Sequence, residues 1–311
     1  MHTNVPKDET FMGLPALRWS NGQLALVILP DLGGKIVSLT DAAGHEWLWR
    51  NPHLPWRRPG PETSFVREGD LGGWDECFPT VAEGVYPIEP WRGTPLRDHG
   101  EIWGARCDVR WTGGRLQLWA EGTHFPYTFI RTLMLHAHEP VLDLTYQVTN
   151  RSDTPLAYLW CAHPLLAITP GMAIELPTGS PVRRYGDGPL PERFAWPLAN
   201  DLDAGQVPSA SVGWASKLFV GPLTAGWAAL HDPMQGRRLR FEFDPRQVPY
   251  IGLWLNYGGW SGAGTAPYFN LGLEPASGAP DDLDNALGDW QAVSMLPAHA
   301  TQTWHLRLRV T

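Results

Sequence analysis

In Val141-Leu142-Asp143-Leu144-Thr145-Tyr146-Gln147-Val148-Thr149, apolar and polar side chains alternate without a break from Leu142 onward. In an extended chain successive side chains point to opposite faces, so Leu142, Leu144, Tyr146 and Val148 share one face, while Asp143, Thr145, Gln147 and Thr149 share the other. One apolar face and one wet face is the pattern of a half-buried antiparallel strand. Parallel strands, covered on both sides, read instead as continuous apolar runs.

Outward from this stretch the same reading recurs. Residues 127–135 precede it as another strand, and 106–111 and 115–121 make a hairpin about Thr112-Gly113-Gly114. Residues 23–29 follow a turn at Asn21-Gly22, and 35–39 run into the turn at Asp41-Ala42-Ala43-Gly44. Further strands are expected at 217–221, 226–231, 238–243, 250–256 and 303–310. Residues 51–73, crowded with Pro52, Pro55, Pro59 and Pro61, read as a long irregular loop, and such loops are often functional. Residues 170–216 read as loops with short strands. The one helix expected is short, over 282–288, with Asp281 as N-cap and Gly288 as stop. Because the pattern is the same before and after 170–216, the expectation is an all-β chain: a large antiparallel β-sandwich forming a single domain over 1–311.

Composition narrows the function. Of 311 residues 43% are hydrophobic and the formal net charge is −8, which disfavours disorder and polyanionic partners such as nucleic acid. Seventeen Trp offer flat apolar faces suited to the C–H faces of a sugar ring. The three cysteines, Cys77, Cys107 and Cys161, form no CxxC pair, against a disulfide framework or structural zinc. Residues 1–9 carry charges and a proline but no signal-peptide core, and no run of 18 apolar residues follows, so a cytoplasmic protein without membrane contact is expected. GxGxxG, GxxxxGK[ST] and GxSxG are all missing from the sequence.

Four segments carry candidate chemistry. In Tyr268-Phe269-Asn270-Leu271-Gly272-Leu273-Glu274-Pro275 the core face is Phe269, Leu271 and Leu273, and Glu274 shares the other face with Asn270 and Gly272. A carboxylate there reads as a catalytic base or as a solvated strand end. His163, in Trp160-Cys161-Ala162-His163-Pro164, reads as a general acid–base group or a buried structural imidazole. A Cys161/His163 nucleophile pair is disfavoured by strand geometry. His99 and Arg106 lie in and beyond a glycine-marked loop and suit sugar hydroxyls. Trp74 and Asp75, in Gly73-Trp74-Asp75-Glu76-Cys77, form a further cluster, with Asp75 reading most simply as a turn cap. Trp254 and Asn256 repeat the ligand-face alternation in Tyr250-Ile251-Gly252-Leu253-Trp254-Leu255-Asn256. His136 and His138 alternate without a third ligand nearby, a weak basis for a metal site.

In order and spacing these segments resemble the aldose 1-epimerase (galactose mutarotase-like) family over nearly the whole chain. Asp31-Leu32-Gly33-Gly34-Lys35, followed by Asp41 to Trp47, is similar to the family's opening hairpin with its D-x-x-G-x-E-W turn. The resemblance implies a mutarotase-like sandwich that interconverts α and β anomers of a hexose or related sugar. His163 would be the general acid and Glu274 the general base; His99 and Arg106 would contact the sugar, with Lys217 taking a hydroxyl contact. It implies no metal or organic cofactor, a small-molecule sugar as partner, and a monomer or weak homodimer. The alternatives are an epimerase of a hexose 6-phosphate, its phosphate held by Arg57, Arg58 or Arg67, and a non-catalytic carbohydrate-binding or regulatory sandwich.

Overall fold

A computed structural model describes residues 5–60, 63–262 and 266–311. Residues 1–4, which open the charged N-terminal stretch, and Pro61 of the proline-rich loop lie outside them. Among the described residues, thirteen strands form one antiparallel sheet and eight form a second, the two packed as a β-sandwich. No described helix is long and apolar enough to cross a membrane.

The Val141–Asn150 strand is central to the eight-stranded sheet, between Tyr127–Leu135 and Thr301–Val310. Leu142, Leu144, Tyr146 and Val148 are buried, as the alternation requires, and pack toward the larger sheet. The hairpin expected at 106–121 forms with its first strand at Asp108–Thr112, and 170–216 contains five short strands. The helix is Leu283–Leu287, capped by Asp282, whose carboxylate accepts from Asn285 N at 2.7 Å. Asp281, expected as the cap, is freed for another role.

Alternation also assigns the larger sheet's two faces. Trp74 and Glu76 of the Trp74–Cys77 strand point between the sheets: Trp74 meets Phe241 of the other sheet edge-on at 5.4 Å, and Glu76 bonds Arg131 at 2.8 Å. Asp75 therefore points to the opposite, outer face, and it stands in a strand rather than capping a turn. Loops 51–73 and 78–104 cover part of that outer face, the first containing a short π-helical turn at Phe65–Gly69.

Candidate active site

Adjacent strands bring ionisable side chains to one level on the outer face of the larger sheet. Asp75 is directly opposite His163 of Cys161–Ala167. Cys161 pairs with Ala276 and Leu165 with Gly272, which brackets His163 and Glu274 at the same height on neighbouring strands. Glu274 in turn is opposite Gly252 of Tyr250–Tyr257. Both residues sit inside their strands rather than at the ends. The regular pairing lapses in the interval holding Pro164 and Pro275, neither of which has an N–H to give to a ladder.

The ion pairs along this row are ordered. Lys35 Nζ bonds Asp75 Oδ2 at 2.6 Å and the Gly72 carbonyl at 2.8 Å. His163 Nε2 is 3.7 Å from Glu274 Oε1, outside hydrogen-bond range. On its other side Glu274 Oε2 accepts from Lys217 Nζ, which also lies 3.4 Å from Asp281 Oδ1. Glu274 Oε1 and His163 Nδ1 are buried with no protein partner. Unsatisfied polar atoms of this kind cost about 1–3 kcal/mol each, a cost that a polar ligand relieves.

The groups are polarised by their neighbours. Burial acts to raise the Glu274 carboxyl, but the charge and hydrogen bond of Lys217, with the neighbouring imidazoles, together hold Glu274 below the ordinary carboxylate value. Burial would lower Lys217, yet Asp281 and Glu274 drive it well above the usual lysine value, so it is a fixed ammonium. Burial pulls His163 down to about 3 despite the opposing charge of Glu274. Burial lifts Asp70 to about 6 against the pull of Lys35. Cys161, whose Sγ is 3.6 Å from Glu274 Oε2, is raised well above the usual thiol value by burial and is not a nucleophile.

Over this row opens a cavity of about 210 Å³, lined by His99, His163, Lys217, Trp254, Trp260 and loop residues including Phe65, Asp70, Asp98, Tyr185 and Asp281. Glu274 lies just behind the lining, fully buried. A broader groove of about 990 Å³ crosses the outer face of the other sheet, where Asp143 already pairs with Arg307 at 2.7 Å and His136 at 2.7 Å.

The residues expected from sequence divide accordingly. Glu274, His163, His99, Trp254 and Lys217 come together, with Asp75 beneath them. Lys217 is engaged with Glu274. Trp74 is not at the site: its parity turns it into the core, where it is fully buried. Asn256 is also sealed off, its amide bonding the Trp260 carbonyl at 3.1 Å and accepting from the Trp260 N–H at 3.3 Å, so it braces the loop carrying a lining tryptophan. Arg106 follows the Ile102–Gly104 turn out of the loop and pairs with Asp31 at 3.2 Å in a separate groove. Arg57 pairs with Glu68, Arg58 lies 4.0 Å from Asp31, and Arg67 is exposed; none of the three lines the cavity. Sequence reading missed Phe65 and Asp70, which arrive on the 51–73 loop, Asp98 on the 78–104 loop, and Asp281 on the connection before the helix. Only Asp98, next in sequence to His99, carries a local signal.

No family model and no curated protein matches the sequence. Solved structures match its fold over nearly the full length. A galactose mutarotase related enzyme of Lactobacillus acidophilus superposes with a TM-score of 0.69 at 16% identity, covering 95% of this chain and 97% of that one. A galactose mutarotase-like protein of Lactobacillus casei gives 0.66 at 19%, covering 95% and 100%. An Escherichia coli K12 protein with a provisional aldose 1-epimerase name gives 0.68 at 18%, covering 95% and 98%. The chain has the galactose mutarotase-like β-sandwich fold.

Proposed function

We propose that this protein is an aldose 1-epimerase, interconverting the anomers of an unphosphorylated monosaccharide by acid–base ring opening. The observation that carries the reading is the Glu274–His163 pair, 3.7 Å apart, with two buried polar atoms lacking partners beside a cavity of about 210 Å³. Sites for drug-sized ligands are about 300–1,000 Å³, so this volume suits a single sugar ring. Trp254 and Trp260, edge-to-face at 5.4 Å, supply an apolar wall for it.

Glu274, held ionised by Lys217, takes the proton of the anomeric hydroxyl as the C1–O5 bond breaks. An imidazole gives a proton to the leaving ring oxygen. Rotation about C1–C2 and reversal of both transfers yields the other anomer. The sequence assigns the imidazole to His163, and His99 shares the cavity with it. The absence of arginine from the described lining supports a substrate without a phosphate.

A second reading, a sugar-binding protein without catalysis, draws on one fact: Glu274 is fully buried and already engaged by Lys217. Polarimetry of freshly dissolved α-D-glucose, α-D-galactose and their 6-phosphates separates the two. The enzyme reading expects catalysis on the free sugars and a loss of about 10²–10⁴-fold in Glu274→Gln. Equal rates for wild type and variant remove Glu274 from the mechanism, and no catalysis by the wild type on any sugar leaves the binding protein.

A further inference from the structure

The 51–73 loop brings to the cavity a carboxylate oxygen that no other described residue answers. Asp70 lines the cavity at 4% exposure, and its Oδ1 is buried with no protein partner. The groups acting on its charge include Lys35, His99, Asp75 and the Gly72 N–H. Of these the Lys35 ammonium is committed elsewhere, to Asp75 at 2.6 Å and to the Gly72 carbonyl at 2.8 Å. A buried carboxylate oxygen without a donor costs stability until a ligand supplies one.

The chain holds this oxygen still. Phe65–Gly69 winds a π-helical turn in which Gly69 N bonds the Ser64 carbonyl at 3.2 Å and Asp70 N bonds the Phe65 carbonyl at 2.7 Å. Such turns are rare, and they recur at functional sites. Gly69 lays its bare backbone on Trp103, where a methyl group would stand 2.5 Å from the indole, and Gly72, at φ 75°, lies against the Trp49 carbonyl. Between them the Asp70 carbonyl accepts from Asn51 Nδ2 at 2.9 Å, and Asn51 also donates to the Tyr268 hydroxyl at 2.9 Å. A side chain on a segment braced this way imposes its geometry on a ligand rather than adapting to it.

The place of Asp70 beside the row identifies the atom it meets. Across the sheet the order is Asp75, His163, Glu274 on three neighbouring strands, and Asp70 stands at the Asp75 end, within the fields of Lys35 and Asp75. In the epimerase reading the anomeric hydroxyl is at Glu274 and the ring oxygen at the imidazole. A pyranose ring oxygen joins C1 to C5, so a path from Glu274 past His163 runs from C1 through O5 to C5 and its exocyclic C6. Asp70 lies where that path leaves the row.

We propose that Asp70 is the specificity residue for the far end of the sugar: its Oδ1 accepts from a free C6 hydroxyl, and its charge turns away sugars carrying a phosphate or carboxylate at C6. This rests on the epimerase reading above and narrows it to neutral hexopyranoses with a primary hydroxyl. The hydroxyl gives the carboxylate the donor it lacks. An anion at C6 instead sets a second negative charge against a buried one, where little water screens the repulsion. Asp70 exchanges no proton with the substrate, so the acid–base steps are unchanged.

The test is kcat and KM of anomerisation at pH 8 for wild type, Asp70→Asn and Asp70→Ala, on D-glucose and D-galactose beside their 6-deoxy and 6-phosphate forms, with thermal melts as a check on folding. The wild type is expected to favour each parent sugar over its 6-deoxy form by about tenfold or more in kcat/KM, since a site built around a hydroxyl rejects the analogue lacking it. In Asp70→Ala that preference collapses toward unity, because the parent sugars lose about tenfold and the 6-deoxy sugars almost nothing. Asp70→Asn keeps an accepting oxygen without the charge, so its activity on the 6-phosphates rises about tenfold relative to the parent sugars. An unaltered preference in Asp70→Ala, or equal losses there on parent and 6-deoxy sugars, overturns the assignment while leaving the epimerase standing. Equal wild-type kcat/KM on parent and 6-deoxy sugars overturns it even if neither variant folds. A wild type inactive on every sugar overturns the epimerase itself. Fluorescence titration of the cavity tryptophans with the same sugars then reads the C6 preference as binding: its loss in Asp70→Ala upholds the recognition by Asp70, and equal binding of all forms overturns it.

Discussion

Lys217 and Glu274 form their ion pair over the bare backbone of Gly252. Lys217 pairs in register with Trp254, two residues further along that strand, so the contact to Glu274 crosses the intervening strand diagonally. A methyl group on Gly252 would lie 2.7 Å from Glu274 Oε2 and 3.4 Å from Lys217 Nζ. The carboxylate has nowhere to retreat, since a methyl-sized neighbour at Gly272 would already be 2.3 Å from Oε1. Glycine at both positions is therefore a requirement of the carboxylate's placement.

Gly252→Ala is accordingly expected to displace the Glu274 carboxylate while leaving the sheet's hydrogen bonds in place. Misplacing a catalytic group by about 1 Å costs on the order of 10²-fold in rate. The expected outcome is a fall in kcat of that order, accompanied by a loss of stability of about 1–3 kcal/mol from overpacking, read as a lower Tm. Polarimetric kinetics beside a thermal melt check this. An unchanged kcat would show that the pair tolerates displacement and that Gly252 is there only for packing.

The buried imidazole of His163 makes stability depend on pH in a definite direction. Its folded value, about 3, is depressed from the ordinary 6.5, so the folded state holds the ring neutral. Below 6.5 the unfolded chain binds the proton and the folded chain does not, so stability falls as pH drops from about 6.5 toward 3. Above 6.5 the contribution is constant. His163→Gln removes this proton uptake, and its urea midpoint should fall less steeply than the wild type's between pH 7 and 4.5. Parallel curves for the two proteins would mean that His163 is reached by water and titrates normally.

Periodicity in the sequence reported the strands because period-2 alternation is the physical consequence of a sheet with one covered face, and 142–148 obeys it residue by residue. The same rule turned Glu274 away from the core face of its strand. Trp74 and Asp75 were expected together as one cluster, but both lie in a strand, where neighbours cannot share a face, so with Asp75 on the outer face Trp74 goes to the core. Arg106 failed for a different reason: the Ile102–Gly104 turn redirects the chain after the His99 loop, and no alternation crosses a turn. Asp70 and Asp281 were illegible because each comes to the cavity on a connection, where no period-2 alternation applies. Asp281 was also hidden by a plausible competing role, since Asp281 and Asp282 are equally good cap residues and the last one before the helix took the position.

The inter-sheet core holds one charged pair whose removal should be costly. Glu76 accepts from Arg131 Nη1 at 2.8 Å, from the Tyr146 hydroxyl at 3.0 Å and from Trp160 Nε1 at 3.0 Å, and Arg131 also donates to the Gly34 carbonyl. Both charged side chains are almost completely buried. Arg131→Met leaves a carboxylate between the sheets with two neutral donors and no cation, and breaking one half of such a pair costs about 3–5 kcal/mol. Replacing both, as Glu76→Leu with Arg131→Met, removes the stranded charge but orphans the Tyr146 and Trp160 donors, so the double variant should recover only part of the loss. Urea denaturation of the two variants and the wild type measures both steps. A single variant as stable as the wild type would mean that Glu76 takes up a proton on losing Arg131 at little cost, and that the ion pair contributes nothing to holding the two sheets together.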